Sequence, residues 1–268
     1  MIRQRISVKR VLIFDSGVGG LSVYQEIYAQ LPNVHYIYAF DDAAFPYGEL
    51  PEEELIERTR YIVSLLVERH TVDLVVVACN TASTIVLPTL RECLAVPVVG
   101  VVPAIKPAAT LSKRKVIGLL ATPATVQREY TDLLISKFAS HCEVLRIGST
   151  RLVEIAEQKL RGQAVSISEL KAILAPWHDK VDCIVLGCTH FPLIKEEISQ
   201  ALEGGVIIID SGRAIANRVK DLLGEITIAC NEPNLTYKSA AGNNTAALDS
   251  SLATMHLGPV RSLHYPRF

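Results

Sequence analysis

The chain has no long hydrophobic run and no block of like charge. Its 268 residues include 27 Lys and Arg against 28 Asp and Glu, for a formal charge of −1. A balance of this kind gives no electrostatic reason to bind nucleic acid or a membrane surface. Apolar stretches such as residues 96–105 are interrupted by proline and glycine and are shorter than the roughly 20 residues that span a bilayer. We therefore expect the protein to bind a small molecule, and we expect neither nucleic acid nor a membrane as a partner.

The sequence also lacks a signal-peptide pattern and the paired cysteine spacing of zinc sites. The apolar run at residues 11–14 is only four residues long before Asp15 interrupts it. This predicts a cytoplasmic protein, in which the six cysteines would be reduced. Cys183 and Cys188 are five residues apart and do not form a Cys-x-x-Cys pair, so neither a disulfide nor a bound metal is expected.

What the sequence does have is a regular alternation of short apolar runs and helix-length segments. A content of 49% hydrophobic and 21% charged residues is that of a globular protein with a sizeable core. Alternation of this kind is typical of βαβ units and predicts an α/β fold with mainly parallel sheets. The predicted strands cover residues 11–14, 34–39, 72–78, 97–101, 115–120, 142–147, 181–186 and 206–209.

A weak internal repeat divides the chain into two similar halves. VDLVVVACNT at 72–81 aligns with VDCIVLGCTH at 181–190, and RVLIFDSG at 10–17 aligns with KVIGLLATP at 115–123. We predict two α/β domains related by a pseudo-twofold axis, with the active site in the cleft between them. The first comprises residues 1–100 plus 212–268 and contains Cys79; the second comprises 101–211 and contains Cys188.

The end of the chain is expected to return to the first half. A helix over residues 213–222 and a last strand–helix pair are predicted to pack on the first domain, and residues 257–268 are predicted to be partly disordered.

Cys79 and Cys188 end matching strands of the repeat. Each is followed by hydroxyl or amide residues that could open a helix, so each sulfur is expected near a helix N-terminus, which favours an anion and lowers a thiol pKa. The other four cysteines lack this setting and are interpreted as small buried hydrophobic residues: Cys93, Cys142, Cys183 and Cys230.

Two thiols facing one carbon indicate a specific reaction. One thiolate can remove a proton from one face while the other thiol delivers a proton to the opposite face, which is racemisation or epimerisation. A matching role for the two cysteines would also explain why the two halves resemble each other.

Polar residues follow the other strands. Asp15 and Ser16 end the first strand, and the glycines after them let backbone N–H groups approach an anion. Ser22 stands where a dinucleotide fingerprint needs glycine, so a Rossmann site is not favoured. Thr122 and Thr125 end the equivalent strand of the second half, where helix capping and ligand contact are equally good interpretations.

Four segments together resemble the motif set of the glutamate racemases, in the cofactor-independent aspartate/glutamate racemase superfamily. They are IFDSGVGG, FPYGE at 45–49, ACNTAS around Cys79 and LGCTHFPL around Cys188, and the resemblance extends from about residue 10 to 225. It implies interconversion of L- and D-glutamate to supply D-glutamate for peptidoglycan, with no cofactor and no metal, by a protein that forms a homodimer.

The resemblance also implies residue roles. Cys79 and Cys188 would be the acid/base groups, assisted by Asp15 and His190. The residues that would hold the substrate are Asp15, Ser16, Tyr47, Gly48, Asn80, Thr81, Thr125, Thr189 and His190.

Asp15, His190 and a further acid, Glu157, need separate physical treatment. A carboxylate near a thiol raises the thiol pKa, so Asp15 is expected to accept the thiol proton or to hold the substrate ammonium. His190, when protonated, would stabilise the Cys188 thiolate; the alternative is a capping or merely hydrogen-bonded histidine. Glu157 stands where the family often has another acid, but its segment departs from the family pattern and the residue could lie on a solvated helix face.

The sequence also allows alternatives to a glutamate racemase. One is another racemase or isomerase of the same superfamily, acting on aspartate, a hydantoin or maleate. Another is a nonenzymatic small-ligand binding protein with two lobes, which has no use for two opposed thiols. A thiol hydrolase would need one nucleophile with an oriented histidine.

Overall fold

The computed structural model describes residues 8–242 and 245–263. The described strands are Arg10–Asp15 (β1), His35–Phe40 (β2), Leu74–Val77 (β3), Val98–Gly100 (β4), Val116–Ala121 (β5), Glu143–Gly148 (β6), Cys183–Leu186 (β7), Ile207–Ile209 (β8), Asn234–Lys238 (β9) and Leu257–Ser262 (β10). Each of the eight predicted runs contains most or all of one observed strand.

The described α-helices alternate with these strands. They are Leu21–Gln30 (α1), Glu52–His70 (α2), Asn80–Cys93 (α3), Ile105–Leu111 (α4), Pro123–Gln127 (α5), Glu129–Phe138 (α6), Thr150–Leu160 (α7), Ile167–Leu174 (α8), Lys195–Ala201 (α9), Gly212–Leu223 (α10) and Ala246–Thr254 (α11). Short 3₁₀ helices cover Asp42–Ala44, Tyr47–Glu49, Ala175–Trp177 and Phe191–Ile194.

The strands form two sheets, and every described strand pair is parallel. The first sheet has the order β10-β9-β2-β1-β3-β4, and the second has the order β6-β5-β7-β8. Parallel neighbours need crossover connections, which the intervening helices supply. The predicted α/β class with mainly parallel sheets is confirmed.

Helices cover both faces of the central strands, which explains the continuous apolar runs in the sequence. In β1 the side chains of Val11 and Ile13 belong to one apolar cluster and those of Leu12 and Phe14 to another. The second sheet likewise has an apolar cluster on each face. A strand buried on both faces cannot alternate polar and apolar residues, so its sequence reads as an unbroken apolar run.

The last part of the chain joins the first sheet. The predicted helix over 213–222 is α10, which packs against α1 and contributes Ile215 and Val219 to the core. β9 pairs with β2, and β10 pairs with β9 at the sheet edge.

The prediction of partial disorder over residues 257–268 is wrong for the residues described. Leu257–Ser262 form β10, and Leu257 and Leu263 are buried. Pairing with β9 satisfies the backbone of this segment although its sequence has no strong apolar pattern. Residues 264–268 of that prediction lie outside the described residues.

The strands of the first sheet come from residues 10–100 and 234–262, and those of the second from 116–209. The predicted division of the chain into two domains is compatible with this distribution and stays a prediction. In the part of the chain that the structure describes, no helix is both long and apolar enough to cross a membrane.

Candidate active site

The ends of β1, β3, β5, β6 and β7 open onto one cavity, to which both sheets contribute. This is where ligands bind in open parallel sheets, because the loops after the strands converge there. The cavity is lined by Ser16, Phe45, Pro46, Tyr47, Gly48, Glu49, Cys79, Asn80, Thr81, Thr122, Thr150, Val153, Cys188, Thr189 and His190. The structure thus brings Cys79 and Cys188 to the same cavity.

Cys79 is the N-cap residue of α3. Its sulfur accepts a hydrogen bond from the backbone N–H of Ala82 at 3.5 Å and lies 3.7 Å from the Ser16 hydroxyl. The expectation of a lowered pKa is wrong for this thiol. Burial and then the charge of Asp15 raise the pKa of Cys79 well above its ordinary value, and these effects exceed the lowering by the Ala82 N–H and Ser16.

Asp15 lies behind Cys79 and does not line the cavity. It is fully buried and accepts hydrogen bonds from the backbone N–H groups of Ser16 at 2.7 Å and Gly20 at 2.6 Å. Burial raises the pKa of Asp15 to about 6, although His190 and the two N–H groups act in the opposite direction. A carboxyl group with this pKa can both hold and release a proton near neutral pH.

Cys188 has a different environment. It follows β7 but precedes a short 3₁₀ turn, Phe191–Ile194, so the expected helix N-terminus is absent at this sulfur. Its Sγ lies 3.8 Å from Nδ1 of the buried His190 ring. The electrostatic partner of this thiol is therefore an imidazole.

His190 is held between Cys188 and Glu157. Its Nε2 lies 2.9 Å from Oε1 of Glu157. Burial lowers the pKa of His190, but the hydrogen bonds and charges of Cys188 and Glu157 outweigh burial and raise that pKa well above its ordinary value. The ring is thus cationic at neutral pH, and its side chain makes no capping hydrogen bond to the turn that follows.

Glu157 does not lie on a solvated helix face, so that alternative is wrong. Only 8% of the residue is exposed, and its carboxylate also accepts the backbone N–H of Val18 at 2.9 Å and pairs with Arg161 at 2.5 Å. Burial would raise the pKa of Glu157, but His190, the Val18 N–H and Arg161 lower it to about 2. This carboxylate is therefore ionised and keeps His190 protonated.

The glycine-rich loop between β1 and α1 contacts protein carboxylates. The N–H of Gly20 points to Asp15 and that of Val18 to Glu157. A Cβ built on Gly17 would lie 2.6 Å from Glu157 Oε1, and one built on Gly19 would overlap the His190 ring. The glycines are needed because the loop of the first half lies directly against the charged pair of the second.

Hydroxyl and amide groups occupy the wall beside Cys79. Oγ1 of Thr81 lies 3.1 Å from that of Thr122 and 3.2 Å from that of Thr125. Thr122 caps α5 and lines the cavity, while Thr125 supports it from behind. Oδ1 of Asn80 is buried without a hydrogen-bond partner among the described residues, so it is available to a ligand donor.

Tyr47 and Gly48 line the cavity in a segment fixed by Asp41. The Tyr47 hydroxyl donates to Asp41 Oδ2 at 2.7 Å, and Arg58 pairs with both oxygens of the same carboxylate. Ser239, just after β9, also donates to Asp41. The Tyr47 hydroxyl therefore serves to position the segment that contains Tyr47 and Gly48.

Some lining residues were missed by sequence reasoning. Phe45, Pro46 and Glu49 belong to the FPYGE motif but were given no role, and Thr150 and Val153 begin α7 after β6. The signal for Thr150 was available, because Ser149 and Thr150 follow a predicted strand just as Asn80 follows β3.

The interpretation of the remaining cysteines as buried residues holds for one of them. Cys183 is fully buried in β7. Cys93 is exposed, and Cys142 and Cys230 are partly exposed, so for these three the interpretation is wrong. They lie in the last turn of α3 and in loops beside β6 and β9, where solvent reaches the chain.

Comparison with known proteins is consistent with this geometry. The family model of Asp/Glu/Hydantoin racemase matches residues 11–219. Glutamate racemase of Aliivibrio salmonicida is 55% identical, over 97% of this chain and 98% of its own, and that of Aliivibrio fischeri is 57% identical over 97% and 99%. The crystal structure of Escherichia coli glutamate racemase with L-glutamate and the activator UDP-MurNAc-Ala matches with a TM-score of 0.91 and 49% identity, covering 96% of this chain and 98% of that one.

Proposed function

Because the chain belongs to the Asp/Glu/Hydantoin racemase family and is an isomerase, we propose that it interconverts L- and D-glutamate by proton transfer between two cysteines at the α-carbon. The observation that carries the proposal is that both thiols line one cavity, each with its own titratable partner. Relatives that are 55% and 57% identical over nearly the whole chain are glutamate racemases.

The surroundings of the two sulfurs support different resting states. The raised pKa of Cys79 favours its thiol form, whereas the neighbour of the Cys188 sulfur is the cationic His190 ring at 3.8 Å. In one direction Cys188 takes the α-proton and becomes a thiol, while Cys79 gives its proton to the opposite face and becomes a thiolate. The resulting pair, a Cys79 thiolate and a Cys188 thiol, is the state that starts the reverse reaction. For another turnover in the same direction, Asp15, with a pKa of about 6, gives a proton to Cys79 and regains one from solvent, and Cys188 releases its proton to solvent.

The wall residues suit an amino acid with two carboxylates. The free Oδ1 of Asn80 can accept from the substrate ammonium. Hydroxyls of Thr81, Thr122 and Ser16 and the polar groups of Thr189 can donate to carboxylate oxygens. Thr125 would act through Thr81, and Tyr47 and Gly48 would close the opposite side.

We further propose that the product D-glutamate is supplied to peptidoglycan synthesis, as the motif resemblance implies. The reaction needs no cofactor in this scheme, because both proton transfers use cysteines of the chain. The cytoplasmic location and the homodimer stay predictions. A binding protein without activity would not need two opposed thiols, each with its own charged partner.

The test is solvent isotope exchange during turnover. The purified protein is incubated with L-glutamate in deuterated water, without added cofactor, while optical rotation and the α-proton signal are followed. We expect D-glutamate to form with deuterium at its α-carbon. Exchange at the α-carbon of aspartate but not of glutamate would show that aspartate is the substrate. No exchange with either amino acid would overturn the proposal.

A further inference from the structure

A second cluster of possible ligand atoms lies away from the cavity, at the opposite end of the first sheet. His35 begins β2, whereas the cavity lies beyond the strand ends. Cys230 and Glu232 precede β9, the strand that pairs with β2. A ring nitrogen of His35, the Cys230 sulfur and a Glu232 carboxylate oxygen all lie within 4.8 Å of one another.

The hydrogen bonding of His35 is incomplete. The residue is 3% exposed, and Nε2 lies 3.1 Å from the carbonyl oxygen of Pro233. Nδ1 is buried and has no hydrogen-bond partner among the described residues. A buried polar atom without a partner is unfavourable, and a carbonyl that accepts from one ring N–H is the usual support of a histidine that binds a metal.

The loop before β9 also fixes the position of the Cys230 sulfur. The N–H of Glu232 donates to Sγ of Cys230 at 3.4 Å, and the same sulfur lies 3.8 Å from the Glu232 carbonyl oxygen. The N–H of Cys230 donates to the carbonyl of Asn33, so the loop is fixed next to the start of β2. Cys230 is partly exposed and Glu232 is exposed, so an ion can reach them from solvent.

We propose that His35, Cys230 and Glu232 bind a zinc ion, with water completing a tetrahedral site. Nitrogen, thiolate and carboxylate are the ligands that zinc takes in proteins. The thiolate and the carboxylate together balance the charge of the ion. The site joins the loop before β9 to β2, so its role is to stabilise the first sheet, and it is separate from the racemase chemistry.

Paired cysteine spacing could not reveal this site, and no metal was expected from the sequence. His35 is separated from Cys230 by most of the chain, and only the pairing of β2 with β9 brings them together. Cys230-x-Glu232 alone has no recognisable zinc spacing.

The test uses a background that lacks the two cavity thiols, since these could bind zinc themselves. In the Cys79→Ser, Cys188→Ser protein, freed of metal by a chelator, zinc is titrated by calorimetry and cobalt(II) by absorbance. We expect one equivalent of each, with a thiolate-to-cobalt charge-transfer band. Cys230→Ser should remove the band, and His35→Gln or Glu232→Gln should weaken zinc binding by about tenfold or more.

The matched control is Cys93→Ser, which removes an exposed cysteine elsewhere and should leave binding unchanged. Because Glu232 is exposed and Cys230 partly exposed, their variants should fold, and zinc should raise the Tm of the background protein but not of its Cys230→Ser variant. In the chain with both cavity thiols present, Cys230→Ser should retain racemisation. No zinc binding in the background, or equal binding after Cys230→Ser, would overturn the proposal.

Discussion

Cys79 and Cys188 end equivalent strands of the two sheets, but their neighbours carry opposite charges. Cys79 lies by a buried carboxyl group and Cys188 by a protonated imidazole. Proton transfer in either direction needs one thiol and one thiolate, and the two sulfurs have different neighbours for these two roles. Each thiol should therefore serve one face of the substrate.

This assignment predicts what happens when one thiol is removed. Cys79→Ser and Cys188→Ser should each abolish racemisation, because a hydroxyl is a poor acid or base near neutral pH. The remaining thiol should still exchange the α-proton on its own face. In deuterated water each variant should therefore label one enantiomer of glutamate only, and the two variants should label opposite ones.

Mass spectrometry of each enantiomer measures this labelling. A variant that labels both enantiomers equally would show that one cysteine reaches both faces, contrary to the proposed arrangement. Binding of glutamate, measured by calorimetry, should persist in both variants and serves as the check that the cavity is intact.

The buried, ionised Glu157 predicts how the stability of the protein depends on pH. Glu157→Gln should destabilise the protein by about 3 kcal/mol, typical for loss of one member of a buried ion pair. The depressed pKa of Glu157 contributes stability that is lost as pH falls from 4.5 towards 2. The raised pKa of His190 contributes stability that is full below 6.5 and is lost as pH rises through its higher folded value.

The difference in unfolding free energy between the two proteins should therefore be greatest between about pH 4.5 and 6.5. Denaturant unfolding across this range measures it. Glu154→Gln, on the same helix but in an exposed pair with Arg151, is the control and should cost less than about 1 kcal/mol at any pH. A difference for Glu157→Gln that is flat with pH would refute the assigned charges.

At the scale of elements, the loop between β1 and α1 connects the two halves. Val18 donates its N–H to Glu157, and the Ser22 hydroxyl donates to the carbonyl of Thr189 at 2.7 Å. The loop, which follows a strand of the first sheet, therefore contacts the charged pair beside Cys188. At Val18 and Gly20 the loop acts through its backbone N–H groups, whereas Ser16 acts through its hydroxyl beside Cys79.

Two substitutions in this loop should separate catalysis from stability. Gly19→Ala places a methyl group against the His190 ring and should lower kcat by about 10²-fold or more by displacing the imidazole from Cys188. Val18→Ala keeps the N–H that Glu157 accepts but removes buried methyl groups, so it should cost about 2 kcal/mol of stability with kcat little changed. Steady-state kinetics and thermal unfolding of both variants test this, and equal loss of kcat would contradict it.

The same elements show how far the sequence could lead. Strands such as β1 and β3 were predictable because burial on both faces leaves a continuous apolar run. β9 and β10 contain polar residues, and they are strands because each pairs with a neighbouring strand. The local sequence pattern therefore could not predict them. The helix N-terminus at Cys79 was foreseen, but its pKa depends also on burial and on Asp15, a residue from another strand.

At the scale of the whole molecule, the cavity depends on both sheets at once. Ser16, Cys79 and Asn80 come from the first half, and Thr122 and Cys188 come from the second. A ligand that contacts both halves stabilises their association, because it binds the assembled site and not the separated parts. Substrate binding should therefore slow local opening on both sides of the cleft together.

Hydrogen exchange followed by mass spectrometry tests this coupling in the Cys79→Ser protein, where bound glutamate is not turned over. Glutamate should slow amide exchange in the loop at residues 16–22 and in the turn at 188–192 over the same concentration range. Leu257–Ser262 form the strand at the far edge of the first sheet, and none of these residues lines the cavity. Their amide exchange should therefore be unaffected by glutamate. Protection limited to one half would mean that the ligand contacts one wall only, and a single wall cannot present two thiols to opposite faces of a carbon.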